Sequence, residues 1–290
     1  MLCRGNDFRP QYKQSVKLRS VFNCPCVALS ATVTQDIYDD VMGALQLQEA
    51  AVTAGLPDRP NIFLNVISKG CLTLETDLLW LLNRVITKQQ SCPKSLIFAH
   101  SISVVADLYS RMMAFLGRRA FSEGVIDPKK CMVSMYHAHI AEPLRKHTLF
   151  EFCKPDSIIR VVVCTIAFGM GVEIADLKQV IQWGKVASVL TFWQEVGRCG
   201  RDGSQCTAVL YVKSTAGGRD TEVFNKLKSD VECHRLAVLQ AFKLSVMPDD
   251  VLDVLKNRQP CSKLTKCDTC VCACCTCCSH CRRLCKCSDV

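Results

Sequence analysis

The sequence has no apolar run of about 18 residues, the length that marks a membrane-spanning helix. Its first segment, MLCRGNDFRPQYK, is polar and basic and has no apolar centre, which excludes a secretory signal there. Aromatic residues make up only 7% of the chain, but 49% is hydrophobic and 22% is charged, a composition typical of a globular domain with a core. We therefore expect an intracellular protein without a membrane partner.

Two patterns for binding nucleotides are also missing. None of the 14 glycines begins G-x-x-x-x-G-K-[ST], the loop whose amides and lysine cradle phosphates. The chain contains no Asp-Glu dipeptide, so it lacks an acidic box of that type for Mg²⁺. We therefore expect that the isolated chain does not hydrolyse a nucleoside triphosphate at a useful rate.

Positive charge and cysteine, by contrast, are plentiful. The net charge of +9 favours a polyanionic partner, with a solvated basic surface as the alternative interpretation. Eleven of the 22 cysteines lie within residues 261–287. In a reducing compartment this density indicates metal binding rather than disulfides.

Short β-branched runs alternate with amphipathic stretches through most of the chain. The predicted strands are 27–32, 62–67, 95–99, 132–137, 158–165, 179–183 and 206–212, and the predicted helices are 34–47, 73–88, 101–116, 141–153 and 188–197. This alternation predicts an α/β fold with a parallel sheet. The runs lack in/out alternation, as expected for strands that are covered on both faces.

Polar clusters end two of these predicted strands. Ser30 and Thr32 close the first, while Thr165, Gly169 and Gly171 follow the strand at 158–165. Ligands of open parallel sheets bind at the carboxyl ends of the strands. The glycines allow backbone amides to approach phosphate oxygens, but the same pair is also typical of a tight turn.

The decapeptide QEVGRCGRDG, residues 194–203, places two arginines three positions apart among glycines. The planar guanidinium groups of Arg198 and Arg201 suit phosphate oxygens and stay charged. The alternative interpretation is a pair of surface salt bridges with Glu195 and Asp202.

Together the motifs resemble those of RecQ-type ATP-dependent DNA helicases of superfamily 2. The similar segments are DFRPQYKQSVKLRSVF (7–22), ALSAT (28–32), DRPNI (58–62), LIFAHS (96–101), YHA (136–138), VVVCTIAFGMGVE (161–173) and QEVGRCGRDG (194–203). The resemblance implies a RecA-like parallel-sheet lobe, the P-loop NTPase-like helicase C-terminal domain. The implied domains are a C-terminal remnant of the first lobe (1–65), the second lobe (66–230), a small helical zinc-binding subdomain (231–271) and a Cys-rich tail (272–290).

The resemblance implies a nucleotide-facing role for the arginine decapeptide. Gln194, Arg198 and Arg201 would face the γ-phosphate of ATP, with Arg201 as the arginine finger. ATP and Mg²⁺ would be held largely by a first RecA-like lobe that is missing or separate, because the phosphate-cradling motifs are not in this chain.

The same resemblance implies coupling roles at the strand ends. Ser30 and Thr32 would couple nucleotide state to the grip on DNA. Thr165, Gly169 and Gly171 would lie near the lobe interface and the DNA backbone.

A four-cysteine Zn²⁺ site is implied as well. Its implied ligands are Cys233, Cys261, Cys267 and Cys270. The family's final cluster has the spacing C-x-x-C-x-x-C, whereas Cys261 lies six residues before Cys267, so Cys272 or Cys274 could provide the third ligand instead. The tail beyond is interpreted as a low-complexity segment, with loose thiolate-rich metal binding or metal storage as the alternative.

Two functional hypotheses follow. The first is the back half of an ATP-dependent 3′–5′ DNA helicase of RecQ type, a nuclear protein of DNA unwinding, recombination and repair. The second is a non-catalytic pseudo-helicase module that binds DNA or a protein partner. The remnant at 1–65 is expected to have low stability because most of its sheet is missing.

Overall fold

The computed structural model describes residues 17, 21–22, 24–47, 49–169, 173–174, 176–213, 220–258 and 272–285. The chain divides into two compact units. One comprises Met1–Asp58 with Leu236–Asn257, and the other comprises Arg59–Arg235 with Arg258–Val290. Within the described ranges, no helix combines the length and the apolar character that crossing a membrane requires.

A six-stranded sheet forms the centre of the second unit. Its strands are β1 (Ile62–Lys69), β2 (Lys94–Ala99), β3 (Val133–Tyr136), β4 (Val161–Cys164), β5 (Leu177–Trp183) and β6 (Cys206–Lys213). Their order is β1-β6-β5-β2-β4-β3, and every neighbouring pair is parallel. Every residue of β2 and β4 is buried, because helices cover both faces of a sheet of this kind. The predicted α/β fold with a parallel sheet is confirmed.

Ten α-helices lie in the described residues. They are α1 (Gln35–Ala44), α2 (Leu74–Asp77), α3 (Leu79–Lys88), α4 (Ile102–Leu116), α5 (Glu142–Cys153), α6 (Val189–Val196), α7 (Thr221–Ser229), α8 (His234–Gln240), α9 (Asp253–Lys256) and α10 (Ser279–Arg283). Ser101 caps α4 and Ser188 caps α6, because each hydroxyl accepts a hydrogen bond from an amide of the first turn. The five predicted helices form, with the one predicted at 73–88 divided into α2 and α3.

The main core lies on one face of the sheet, beneath α3 and α4. Alternate strand residues such as Ile97, Val163 and Ile181 meet helix residues such as Leu82 and Met112, and all five are essentially inaccessible to solvent. Burying each such side chain stabilises the fold by about 1.5–3 kcal/mol. This core fixes the positions of the strand ends that carry the candidate site.

The expected strand at 27–32 is wrong. These residues form no sheet, and the side chains of Val27 and Leu29 are 80% and 90% exposed. Ser30 donates from its hydroxyl to the carbonyl oxygen of Thr32, over 2.9 Å. Every strand in the described part of the chain lies between residues 62 and 213, in the other unit. An isolated β-branched run leaves its backbone groups without ladder partners, so it does not persist as a strand.

Candidate functional site

The arginine loop, residues 197–204, begins where α6 ends. Gly197 donates its amide to the carbonyl of Trp193 at 2.9 Å, which closes the last helical turn. Gly200 then has φ +60°, and Gly203 donates its amide to the Gly200 carbonyl at 3.1 Å. Arg201 therefore occupies the tip of a hydrogen-bonded turn.

Arg59 holds this loop from the segment just before β1. Its guanidinium donates to the carbonyl oxygens of Gly197 (3.3 Å), Cys199 (3.2 Å) and Gly200 (2.7 Å). Such carbonyls at the end of a helix have no partner within it, and the cation offsets their partial negative charge. Arg59 thereby fixes the path of the chain as it leaves α6.

Asn61 adds a second support to the arginine loop. Its side-chain amide donates to the carbonyls of Gly200 (2.8 Å) and Ser204 (2.9 Å). A Cβ at position 200 would lie 2.5 Å from Asn61 Nδ2 and 2.6 Å from Cys206 Sγ, so only glycine allows this approach. Sequence reasoning missed the roles of Arg59 and Asn61, although the segment DRPNI was noted for its resemblance.

Asp202 forms its ion pair with a lysine. Its carboxylate lies 3.4 Å from Lys178 Nζ and accepts a hydrogen bond from the Ser204 amide at 3.1 Å. Hydrogen bonds from Ser204, together with the charge of Lys178, lower the pKa of Asp202. Arg201 is exposed, and no hydrogen bond or ion pair of its side chain occurs among the residues that the structure describes. The alternative of an Arg201–Asp202 salt bridge is therefore not supported.

Arg198 acts electrostatically on the end of β4. The thiol of Cys164, the last residue of β4, is buried, and burial raises its pKa. Glu195 adds to the increase and Arg198 opposes it, so both side chains are close enough to act on Cys164. Gln194 is half-buried on α6.

The turn after β4 is anchored by an aromatic side chain. Residues Ile166–Gly169 form a 3₁₀ turn in which Phe168 is 1% exposed. Its ring packs edge-on against Tyr136 and Phe152, with centroid distances of 4.9 and 5.9 Å. Thr165 donates its amide to the Tyr136 carbonyl at 3.2 Å.

Thr165 and Gly169 consequently sit at the carboxyl end of β4, as the sequence predicts. Gly171 lies outside the described residues. Ser30 and Thr32 belong to the other unit, where both are at least partly exposed.

Comparison with known proteins finds a family that matches the part of the chain from α2 to the arginine loop. The family described as "Helicase conserved C-terminal domain" matches residues 77–203. The bifunctional 3′-5′ exonuclease/ATP-dependent helicase WRN of Mus musculus is 30% identical over 207 residues, which cover 71% of this chain and 14% of that protein. The ATP-dependent DNA helicase RecQ of Pasteurella multocida is 31% identical over 208 residues, 71% of this chain and 29% of that protein. The chain therefore carries a helicase conserved C-terminal domain and is similar to helicases of RecQ type.

Solved structures agree with the fold of this domain. S. cerevisiae Dbp5 bound to RNA and ADP BeF3 has a TM-score of 0.55 at 18% identity and covers 87% of this chain and 59% of that chain. Mss116p bound to ssRNA and AMP-PNP has a TM-score of 0.56 at 16% identity, and the match covers 86% of this chain and 48% of that chain. The predicted RecA-like lobe is thereby confirmed. The chain spans only 14% and 29% of the lengths of the two curated relatives above.

A cluster of four cysteines lies next to β1. The first thiol cluster consists of Cys233, Cys277, Cys278 and Cys281, whose sulfurs all lie within 4.8 Å of one another. Cys233 Sγ is 3.5 Å from Cys277 Sγ and 3.9 Å from Cys278 Sγ. Four sulfurs about 2.3 Å from a tetrahedral Zn²⁺ are about 3.8 Å apart, so these thiols could hold such an ion.

Backbone contacts fix the first thiol cluster to the sheet. Leu64 in β1 donates its amide to the Cys277 carbonyl at 3.1 Å, and the Ser279 hydroxyl accepts from the Val66 amide at 3.1 Å. The Cys281 amide donates to Cys278 Sγ at 3.5 Å, at the start of α10. This amide-to-sulfur bond favours the thiolate form that a metal ion requires.

The thiols of this cluster perturb one another. Contact with Cys233 lowers the pKa of Cys277 to about 7 and also lowers the pKa of Cys278. Contact with Cys277 raises the pKa of Cys233. Contact with Cys233 raises the pKa of Cys281. Adjacent thiolates repel, so all four ionise together only when a cation offsets their charge.

Only one of the four predicted zinc ligands lies in the described part of the chain. Cys233 lies in the first thiol cluster, whereas Cys261, Cys267 and Cys270 lie outside the described residues. Sequence reasoning missed Cys277, Cys278 and Cys281 because it treated residues 272–290 as a tail. The signal was present in the repeated C-x-x-C spacing, which includes residues 278–281.

Proposed function

We propose that this chain supplies the second lobe of an ATP-dependent 3′–5′ DNA helicase of RecQ type. Arg201 is the arginine finger, and Arg198 and Gln194 face the γ-phosphate. The observation that carries the proposal is the exposed guanidinium of Arg201 on a turn held by Arg59. An arginine presented in this way accelerates phosphoryl transfer by roughly 10³–10⁵ in other nucleotide hydrolases.

The nucleotide itself is held mainly by another lobe. The 290 residues contain neither the P-loop pattern nor an Asp-Glu box, so ATP and Mg²⁺ find few ligands here. The arginines act on the triphosphate only when the first RecA-like lobe closes against this one. The isolated chain therefore does not turn over ATP.

DNA is the proposed polyanionic partner, in keeping with the net charge of +9. Thr165, Gly169 and Gly171 contact its backbone, while Ser30 and Thr32 couple nucleotide state to that contact. The setting is nuclear DNA recombination and repair, by analogy with helicases of this family.

Zn²⁺ is the proposed structural metal. Cys233, Cys277, Cys278 and Cys281 would hold it through four thiolates, a ligand set typical of structural rather than catalytic zinc. The ion's role is to tie the segment before α8 to α10 and β1.

ATPase measurements in the presence of single-stranded DNA test the proposal. The isolated chain is expected to show only background turnover. When the first lobe of a RecQ relative is joined to it, turnover should appear, and Arg201→Ala should reduce it by roughly 10³-fold or more. Arg118→Ala, which removes an exposed arginine from an unrelated 3₁₀ turn, serves as the matched control and should leave turnover unchanged. Robust turnover by the isolated chain that Arg201→Ala abolishes would refute the proposal, as would a joined protein that is insensitive to Arg201→Ala.

The missing P-loop and Asp-Glu box also favour a second candidate, a pseudo-helicase module that binds DNA or a partner protein without catalysis. This candidate predicts that the isolated chain binds single-stranded DNA with a salt-dependent affinity. It also predicts that joining a first lobe brings no ATPase activity.

A further inference from the structure

We propose that Cys272, Cys275 and Cys285 bind a second metal ion, a thiophilic divalent cation of the Zn²⁺ class. The sulfurs of this second thiol cluster all lie within 4.8 Å of one another, and Cys272 Sγ is 3.5 Å from Cys285 Sγ. This separation is close to the roughly 3.8 Å of a tetrahedral thiolate shell. The site is distinct from the first thiol cluster, with which it shares no residue.

The backbone of the second thiol cluster is already arranged for a metal. Cys272 and Cys275 form a C-x-x-C turn in which the Cys275 amide donates to Cys272 Sγ at 3.2 Å. Thr276 closes the turn by donating its amide to the Cys272 carbonyl at 3.2 Å. The C-x-x-C at Cys278 and Cys281 has the same amide-to-sulfur bond. The segment therefore contains two turns of one construction, each contributing a pair of sulfurs.

Neighbouring side chains hold the second thiol cluster in place. Arg282 donates from Nε to the Cys275 carbonyl at 3.0 Å, and its guanidinium stacks 3.9 Å from the ring centroid of Phe63 in β1. Cys285 is fully buried and Cys275 is 6% exposed. Cys272 is half-buried. Soft thiolate ligands bind thiophilic ions rather than hard cations such as Mg²⁺.

Some other thiols of the same protein contact backbone carbonyls instead. Cys92 and Cys131 each direct the thiol to a backbone carbonyl, of Pro93 at 3.7 Å and of Val133 at 3.1 Å. In the second thiol cluster, by contrast, three sulfurs converge on one point. A disulfide is the other use of such proximity, but 3.5 Å between Cys272 and Cys285 is far beyond the bonded distance of about 2.05 Å.

Zinc stoichiometry of the full chain tests the proposal. The chain is loaded with Zn²⁺ under reducing conditions, freed of loose metal and weighed by native mass spectrometry. We expect two ions per chain in the wild type and one in Cys272→Ser/Cys285→Ser. Cys24→Ser/Cys71→Ser, which alters two exposed thiols, is the matched control and should retain two. One ion in the wild type, or two in Cys272→Ser/Cys285→Ser, overturns the proposal.

Further variants separate this proposal from that of the first thiol cluster. Cys278→Ser/Cys281→Ser should lose the ion of the first cluster, whatever the second cluster binds. The triple variant at Cys261, Cys267 and Cys270 should keep both ions. The inference would be overturned if this triple variant lost the second ion while Cys272→Ser/Cys285→Ser kept it.

Thiol alkylation tests the proposal on the wild-type chain, so the result does not depend on whether a variant folds. With Zn²⁺ bound, peptide mapping should show Cys272, Cys275 and Cys285 protected from iodoacetamide, and a chelator should expose them. Alkylation that is indifferent to Zn²⁺, or a Cys272–Cys285 disulfide under reducing conditions, contradicts the proposal.

Discussion

The guanidinium of Arg59 donates a 2.7 Å hydrogen bond to the carbonyl oxygen of Gly200, across 141 residues of sequence. Arg59 lies just before β1, and Gly200 lies just before Arg201 in the turn. The proposed arginine finger is therefore aimed by the segment that enters the sheet at β1. Preorganised positioning of this kind lets a catalytic cation act without being ordered during the reaction.

Replacing Arg59 by Ala is expected to loosen the arginine loop. The carbonyls of Gly197, Cys199 and Gly200 lose a charged donor, and one such hydrogen bond contributes about 1.5–3 kcal/mol. We expect the free energy of unfolding in urea to fall by about that amount, and the amides of 197–204 to exchange faster with deuterium. Arg201→Ala is the control, since exposed substitutions stay within about 0.5 kcal/mol. Unchanged exchange in 197–204 would contradict the role given to Arg59.

Two glycines of the arginine loop allow a matched test of close approach. Gly200 and Gly203 both have positive φ, +60° and +78°, but only at Gly200 would an added Cβ meet other atoms. Gly203→Ala should therefore cost about 1 kcal/mol of unfolding free energy for backbone strain alone. Gly200→Ala should cost a further 1–3 kcal/mol or so, because Asn61 and Cys206 must shift. If both variants lost the same free energy of unfolding in urea, the close packing around Gly200 would contribute nothing to stability.

Local sequence pattern determines most of the sheet. The sequence predicts all six runs that form β1 to β6, because each is a short and mainly apolar stretch between polar segments. The run at 27–32 is also predicted as a strand but forms none. Whether such a run pairs depends on neighbours elsewhere in the structure, which a local pattern does not contain.

Local sequence also predicts only a part of the candidate site. The spacing of glycines and arginines in 194–203 was sufficient to identify the loop, but not the supports at Arg59 and Asn61, which are more than 130 residues away. Cys277, Cys278 and Cys281 were passed over for a related reason. In a segment so rich in cysteine, spacing alone does not say which sulfurs meet, and the contacts with β1 decide it.

Arg235 connects the first thiol cluster to Arg59. Its side chain is fully buried and donates to the carbonyls of Arg59 at 2.9 Å and Cys277 at 3.3 Å, and also to that of Ile62. Arg235→Met removes a charged donor from all three carbonyls, although those of Cys277 and Arg59 keep the amides of Leu64 and Ile62. A hydrogen bond from a charged group contributes about 1.5–3 kcal/mol.

We therefore expect Arg235→Met to unfold at a clearly lower urea concentration than the wild type. Zn²⁺ should also transfer faster to a chromogenic chelator, because the Cys277 carbonyl then keeps only the Leu64 amide as a donor. Arg118→Met, at an exposed position, is the control and should match the wild type in both measurements. An Arg235→Met chain with wild-type stability would refute the connection.

His137 should make stability depend on pH at the carboxyl end of β3. The ring is buried, and burial, followed by repulsion from His139, lowers its pKa below the ordinary 6.5. Below about pH 6.5 the unfolded chain therefore binds a proton that the folded chain resists, so the free energy of unfolding falls as pH decreases. One such group contributes at most about 1.4 kcal/mol per pH unit.

Urea unfolding of the wild type and of His137→Gln, between about pH 7.5 and about pH 5.5, measures this contribution. His137→Gln should be less stable than the wild type at the upper pH, because the neutral ring packs well, and should lose less of its stability on acidification. His147→Gln removes an exposed imidazole from α5 and should retain the full pH dependence. If His137→Gln and the wild type lose the same free energy over this range, the dependence arises elsewhere and the buried ring is not its source.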